Sequence, residues 1–165
     1  TPDALPHLIE EKNITLFEKY KVLSSKEVHS RLEIWLEQYV STVTIEVDTT
    51  EAIAKTMVYP AVTRYINELA AAAKSTKELG IDSSGTIHML ETVTEALNKL
   101  DRALINLADV QAGLHADSMA ELALEYKDQV IPAMTEIRNA VDFLERYTAD
   151  DYWPLPVYRE MLFIQ

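Results

Sequence analysis

The side chains in this 165-residue sequence best suited to metal or proton chemistry are four histidines, His7, His29, His88 and His115, set among 27 aspartates and glutamates. A di-metal carboxylate bundle needs Glu-x-x-His pairs projecting inward from facing helices. No such pair occurs. His88 and Glu91 stand in the reverse order, and His29 follows Glu27 by two residues, a spacing that sends the two side chains to different faces of a helix. The four histidines are therefore read as surface or helix-end residues. No glycine-rich phosphate loop, G-x-S-x-G elbow or H-E-x-x-H helix is present. The absence of cysteine excludes a thiolate nucleophile, a zinc–thiolate site and a disulfide framework, and leans the compartment towards the cytosol. Adjacent carboxylates such as Glu10 with Glu11 and Asp150 with Asp151 read as solvated charge or helix-end residues. The expectation is no catalytic, cofactor-binding or metal residue anywhere in the chain.

What the sequence offers instead is apolar surface at an unusual place. It ends "DDYWPLPVYREMLFIQ", and chain ends are normally polar and frayed unless something ties them down. Trp153, Leu155, Tyr158, Met161, Leu162, Phe163 and Ile164 are read as docking residues. Trp153 precedes a proline and is expected to be extended, with Pro154 and Pro156 making a stiff strap that ends the preceding helix. Beyond the strap, Tyr158, Met161 and Leu162 are spaced i, i+3 and i+4, as one short helical turn would present them. The "WPLP" stretch lacks P-x-x-P spacing, so polyproline recognition is not expected.

A net charge of −12 and an isoelectric point near 4.7 argue against nucleic acid and anionic membrane surfaces, both of which require a basic face. The apolar runs, such as residues 69–73, are too short to span a bilayer, and no signal segment opens the chain. A soluble protein is expected. The chain length suits one domain, or one domain plus an appendage, and a core that needs no staples. Its opening "TPDALPHLIEE" has no initiator methionine, and so reads as part of a longer or processed chain.

The elements that must position the tail are helical. The three glycines fall near breaks in helical periodicity, and β-alternating runs bounded by turn residues are absent. A first short helix is expected within 7–20, its apolar side of Leu8, Ile9, Leu16, Phe17 and Tyr20 leaning on something else. The next opens at the capping box Ser24 to Glu27, with Val28, Leu32, Trp35, Leu36, Tyr39, Val40, Val43 and Val47 as a core stripe. Asp48 to Glu51 has the same spacing and marks either a new helix or a bend. Apolar residues then run from Ile53 to Ala73, with a kink expected at Pro60 and a stop at Gly80, where Ile81 makes the accompanying contact. Ile87, Leu90, Val93, Leu97, Leu100, Leu104, Leu107, Gln111 and Leu114 form a near-heptad seam. A turn over 113–117 and a capping box from Ser118 to Glu121 lead into a last helix, kinked at Pro132. Two helices of roughly 40 Å each, joined so shortly, should be antiparallel. The spacing of turn signals gives no convincing repeat and so no solenoid. The fold class is thus all-α: a bundle of long antiparallel helices with a coiled-coil-like hairpin and an extended apolar C-terminal tail.

Three blocks go further. "TPDALPHLIEEKNITLFEKYKVLSSKEVHSRLEIWLEQYV", "TIEVDTTEAIAKTMVYPAVTRYINELA" with Glu46, Pro60, Ala61 and Tyr65, and "DDYWPLPVYREMLFIQ" resemble, in that order, the carboxyl-terminal region of type III glutamine synthetases. The resemblance covers residues 1–73 and 150–165; the hairpin over 80–147 shows only helical character. It implies a parent ATP-dependent glutamate–ammonia ligase of nitrogen metabolism, cytoplasmic, acting through a γ-glutamyl phosphate with Mg²⁺ or Mn²⁺. It also implies a large homo-oligomer. None of that family's nucleotide, metal or ammonium motifs falls between residues 1 and 165, so no catalytic residue is carried over and this segment alone is not expected to be an enzyme. Residues 1–47 would close the catalytic domain of the parent, 48–148 form a helical extension, and 149–165 a docking tail. The competing expectation is a free-standing helical module that offers a groove to a partner helix.

Overall fold

The computed structural model describes residues 1–157, Glu160 and Leu162. It is all-helical, without a strand among the described residues. A 3-10 turn, Leu5–Ile9, precedes α1 (Glu11–Lys19); then come α2 (Ser25–Ile53), α3 (Tyr59–Glu78), α4 (Ser84–Ala112), α5 (Met119–Glu125) and α6 (Ile131–Tyr147). The helix expected within 7–20 is α1, while Leu8 and Ile9 of its expected apolar side lie in the preceding 3-10 turn. Glu10 separates the two with an extended ψ of 140°, and the Asn13 side chain donates to the His7 carbonyl at 2.7 Å across that break.

Both capping boxes form. Glu27 accepts from the backbone N–H and the hydroxyl of Ser24, each at 2.7 Å, while its own N–H points back at the Ser24 hydroxyl. Ser118 accepts from Glu121 N–H at 3.2 Å, and the Glu121 carboxylate accepts from Asp117 N–H at 3.1 Å. Gly80, with φ +71°, ends α3 in a Schellman motif: its N–H bonds the Lys77 carbonyl and the Ile81 N–H bonds that of Thr76. Ile81 itself is 58% exposed. Asp48 and Glu51 lie inside α2, which runs through them without a break.

The two internal prolines are handled alike. A π-helical turn, Ala54–Val58, joins α2 to α3 directly before Pro60, and a second, Tyr126–Val130, joins α5 to α6 directly before Pro132. Proline lacks an N–H and its ring clashes with the carbonyl four residues back. The wider turn answers both problems, because Tyr59 N–H reaches back to the Ala54 carbonyl and Ile131 N–H to that of Tyr126. The helices are rephased at these points rather than broken. Each turn is also part of the same short phrase, K-x-x-V-x-P-A, at 55–61 and 127–133, whose Val and Ala are buried in both copies. The apolar spacing carries the trace of it: Ala54, Val58 and Val62 step by fours, as do Tyr126, Val130 and Met134.

The chain divides into two compact units. The first comprises Thr1–Asp48 with Asn106–Met134, the second Thr49–Ile105 with Thr135–Gln165. The core of the first is built on Val28, Leu32, Leu36, Val43, Val47, Leu107, Ala123 and Val130. That of the second is built on Val58, Val62, Val93, Leu97, Leu100, Leu104, Ile137 and Leu144. Trp35 departs from the expected stripe: it is 40% exposed, because the buried line on α2 passes through Leu32 and Leu36 and leaves Trp35 beside it. Ile87 at the start of the α4 seam, Met57 and Met119 are likewise exposed.

The carboxylates at the helix starts and the amino-terminal turn make stability acid-sensitive. Glu27 and Asp82 titrate below the ordinary range, held first by the N–H of Ser24 and of Ser84 and then by the same residues' hydroxyls. Asp3 is lowered by Lys127, and Glu10 by Lys12 and then His7. For a depressed carboxyl the contribution to stability is present above its unfolded value and lost as pH falls through its folded one. The urea midpoint should therefore decline on acidification below about pH 4, and Glu27→Gln should flatten part of that decline. An unchanged slope in the variant would remove the cap from the account.

Candidate docking site

The tail is anchored before it becomes apolar. After α6, Thr148 N–H bonds the Leu144 carbonyl, and a further turn closes with Tyr152 N–H on Ala149 at 2.9 Å and Trp153 N–H on Ala149 at 3.1 Å. The Tyr152 ring sits 5.6 Å from that of Tyr65 on α3, tilted by 48°. The Glu68 carboxylate acting on its hydroxyl, followed by burial, raises the phenol above its ordinary value. Trp153 is 9% exposed. Residues 153–157 leave helical conformation, as the prolines require.

Of the seven sequence-predicted docking residues, Trp153 is thus buried and Leu155 half-buried, while Leu162 is 66% exposed. Tyr158, Met161, Phe163 and Ile164 lie outside the described residues. Glu160 and Leu162 are helical. The Glu160 carboxylate accepts from Val157 N–H at 3.2 Å while Glu160 N–H donates to the Val157 carbonyl at 2.9 Å.

The first unit carries an apolar surface of its own. Leu32 and Leu36 of α2 pack on Ala123 of α5, flanked by Leu5, Leu8 and Ile9 of the 3-10 turn and by Tyr39, Val40 and Ala120. Lys127 Nζ holds the amino-terminal turn to the second π turn, 2.7 Å from Asp3 and 3.3 Å from Asp128. Thr44 Oγ1 donates to the Val40 carbonyl and accepts the Tyr126 hydroxyl at 3.0 Å, tying α2 to that same turn. Beside this cluster an open groove of about 530 Å³ is lined by Ile9, Leu32, Leu36, Met119 and Ala120, with His29, Glu33, Glu37 and Ser118 also on its walls. The sequence marks Leu32 and Leu36 as core but gives no sign that their neighbours leave a groove, since its walls come from three separated segments.

No buried residue lies on α1. Leu16, Tyr20 and Val22 are exposed there and just beyond it, as are Ile34 and Ile45 on α2.

The histidines are dispersed. His7 contacts Glu10; His29 Nδ1 is 2.8 Å from the Ser25 carbonyl; the His88 carbonyl accepts from Thr92; and the His115 N–H donates to Glu125 at 3.2 Å. Among the described residues no group of three or more His, Asp or Glu side chains is placed to hold a metal ion. No described helix is long and apolar enough to cross a membrane.

The strap belongs to the second unit of this all-helical chain, the groove and the exposed apolar residues of α1 to the first. A family model of the glutamine synthetase C-terminal domain matches residues 1–77. The type-3 glutamine synthetase of Dictyostelium discoideum is 33% identical, over 100% of this chain and 23% of that protein. Glutamine synthetases of Bacteroides fragilis and Butyrivibrio fibrisolvens are each 27% identical over 98% of this chain, which covers 23% and 24% of their lengths. Residues 1–77 thus match the glutamine synthetase C-terminal domain, and the whole chain is similar to part of a type-3 glutamine synthetase. The similarity runs through the α4–α6 region as well, which the sequence alone marked only as helical. The chain spans about a quarter of the length of the relatives it matches.

Proposed function

We propose that this chain is the structural and assembly segment of an ATP-dependent glutamate–ammonia ligase whose chemistry is performed outside it. The observation that carries the reading is apolar surface left open within the family-matched region: Leu16, Tyr20, Val22, Ile34 and the 40%-exposed Trp35. Scattered singly, such residues need no explanation. Here they follow one another in sequence, on α1, just beyond it and on α2, and the relatives supply a further three-quarters of polypeptide to cover them. Residues 1–47 then close the catalytic domain, 48–148 extend it as helices, and 149–165 dock. The partners are the catalytic domain of the same cytoplasmic ligase and further copies of it in a large homo-oligomer. Such a ligase would hold its ATP and Mg²⁺ or Mn²⁺ in that domain.

A free-standing interaction module is the second reading, favoured by the groove of about 530 Å³. Removal of the matched region from the D. discoideum relative distinguishes them. The assembly reading expects smaller species in sedimentation and a lower melting temperature. A truncated enzyme with undiminished assembly and stability would return the chain to the module reading.

A further inference from the structure

Resting on the assembly reading, we propose that the groove between α2 and α5 receives residues 158–165 of a second copy of this chain. The groove presents an apolar floor, Leu32 and Leu36, and an open wall at Met119, with Glu33 and Glu37 one helical turn apart along its edge. Neither glutamate forms an ion pair among the described residues. The segment "YREMLFIQ" offers the matching chemistry. It carries apolar anchors at i, i+3 and i+4, the pattern by which a helix lies in a groove, and one cation, Arg159, for the acidic edge. Glu160 and Leu162 are already helical, yet Leu162 stands 66% exposed on its own chain. Groove and anchor are therefore both uncovered in a single copy, and exchange between copies covers both.

The strap sets the geometry of the exchange. Tyr152 and Trp153 are fixed on the unit they belong to, by Tyr65, Glu68 and burial. Only the segment beyond Pro156 is donated, so the contact links copies without unravelling the donor.

The natural absence of cysteine makes the test direct. Chains carrying Glu33→Cys and chains carrying Leu162→Cys are mixed and mildly oxidised. A disulfide forms only where the Cα atoms come within about 7 Å, and a mixed dimer in excess of either homodimer is the expected product. Reversing the acidic edge with Glu37→Lys in the first chain should cut that yield severalfold, and Arg159→Glu in the second should restore it. Absence of the mixed dimer overturns the proposal. So does a chain carrying both cysteines that closes on itself as a monomer, since the occupant is then its own tail. The readout involves no catalysis, so it can fail while truncation of the relative still disrupts assembly, and the two readings fall separately.

Discussion

Replacing Leu100 by alanine is expected to destabilise the chain by about 2–5 kcal/mol, the range for truncating a fully buried leucine. Leu100 has no exposed surface and lies in the middle of the α4 seam, with Val93, Leu97, Leu104 and Leu107 buried along the same helix. The loss has two parts: apolar atoms no longer withdrawn from water, and a void that close-packed neighbours fill only partly. In a chain of this size each kcal/mol moves the melting temperature by about 2–4 °C, so a fall of about 4–20 °C should be read by calorimetry. Ile105 is the internal control. It lies on the same helix but is 55% exposed, and Ile105→Ala should stay within about 0.5 kcal/mol of the parent. Equal effects at the two positions would mean that the seam is not buried as described.

That seam was legible because it rests on one physical rule, apolar residues at alternating threes and fours. The capping boxes at Ser24 and Ser118 and the Schellman stop at Gly80 were legible for the same kind of reason: each is a local satisfaction of backbone groups by residues at fixed offsets. Asp48 to Glu51 has the same offset and no cap, since α2 already satisfies those N–H groups internally and the spacing has nothing to do there. Trp35 failed differently. Position on a helix says which face a side chain takes but not how wide the buried face is, and on α2 it is narrower than the apolar run. In the proposed enzyme, the covering surface would come from another part of the polypeptide.

The π turns lie between these cases. Pro60 and Pro132 announced a disturbance, and the steps of four before each were visible, but a step of four is also ordinary α-helical spacing. Only the recurrence of K-x-x-V-x-P-A with both elements marks it as one device used twice. Of the candidate docking site, only the departure from helix over 153–157 was readable, from its prolines. The groove was not, because Ile9, α2 and Met119 are brought together only by the fold.

On the proposed reading, the tail divides into two functions that truncation can separate. Trp153 is buried in the described structure, and Tyr152 beside it is held by the Tyr65 ring and the Glu68 carboxylate. Trp153→Ala should cost about 3–5 kcal/mol in the chain by itself, as for other buried aromatics cut to alanine, and should show as a lower melting temperature at any protein concentration. Deleting 158–165 removes no residue that the described structure buries. Its effect should be small in dilute solution and should grow with concentration, because an interaction between copies contributes stability by mass action. Sedimentation should then shift towards smaller species only for the deletion. In the proposed parent enzyme the two changes should add, lowering stability through the strap and assembly through the tip. If Trp153→Ala leaves the melting temperature within about 0.5 kcal/mol equivalent of the parent, the strap does not anchor the tail. A deletion variant that loses stability at every concentration would instead place the terminal segment within its own chain.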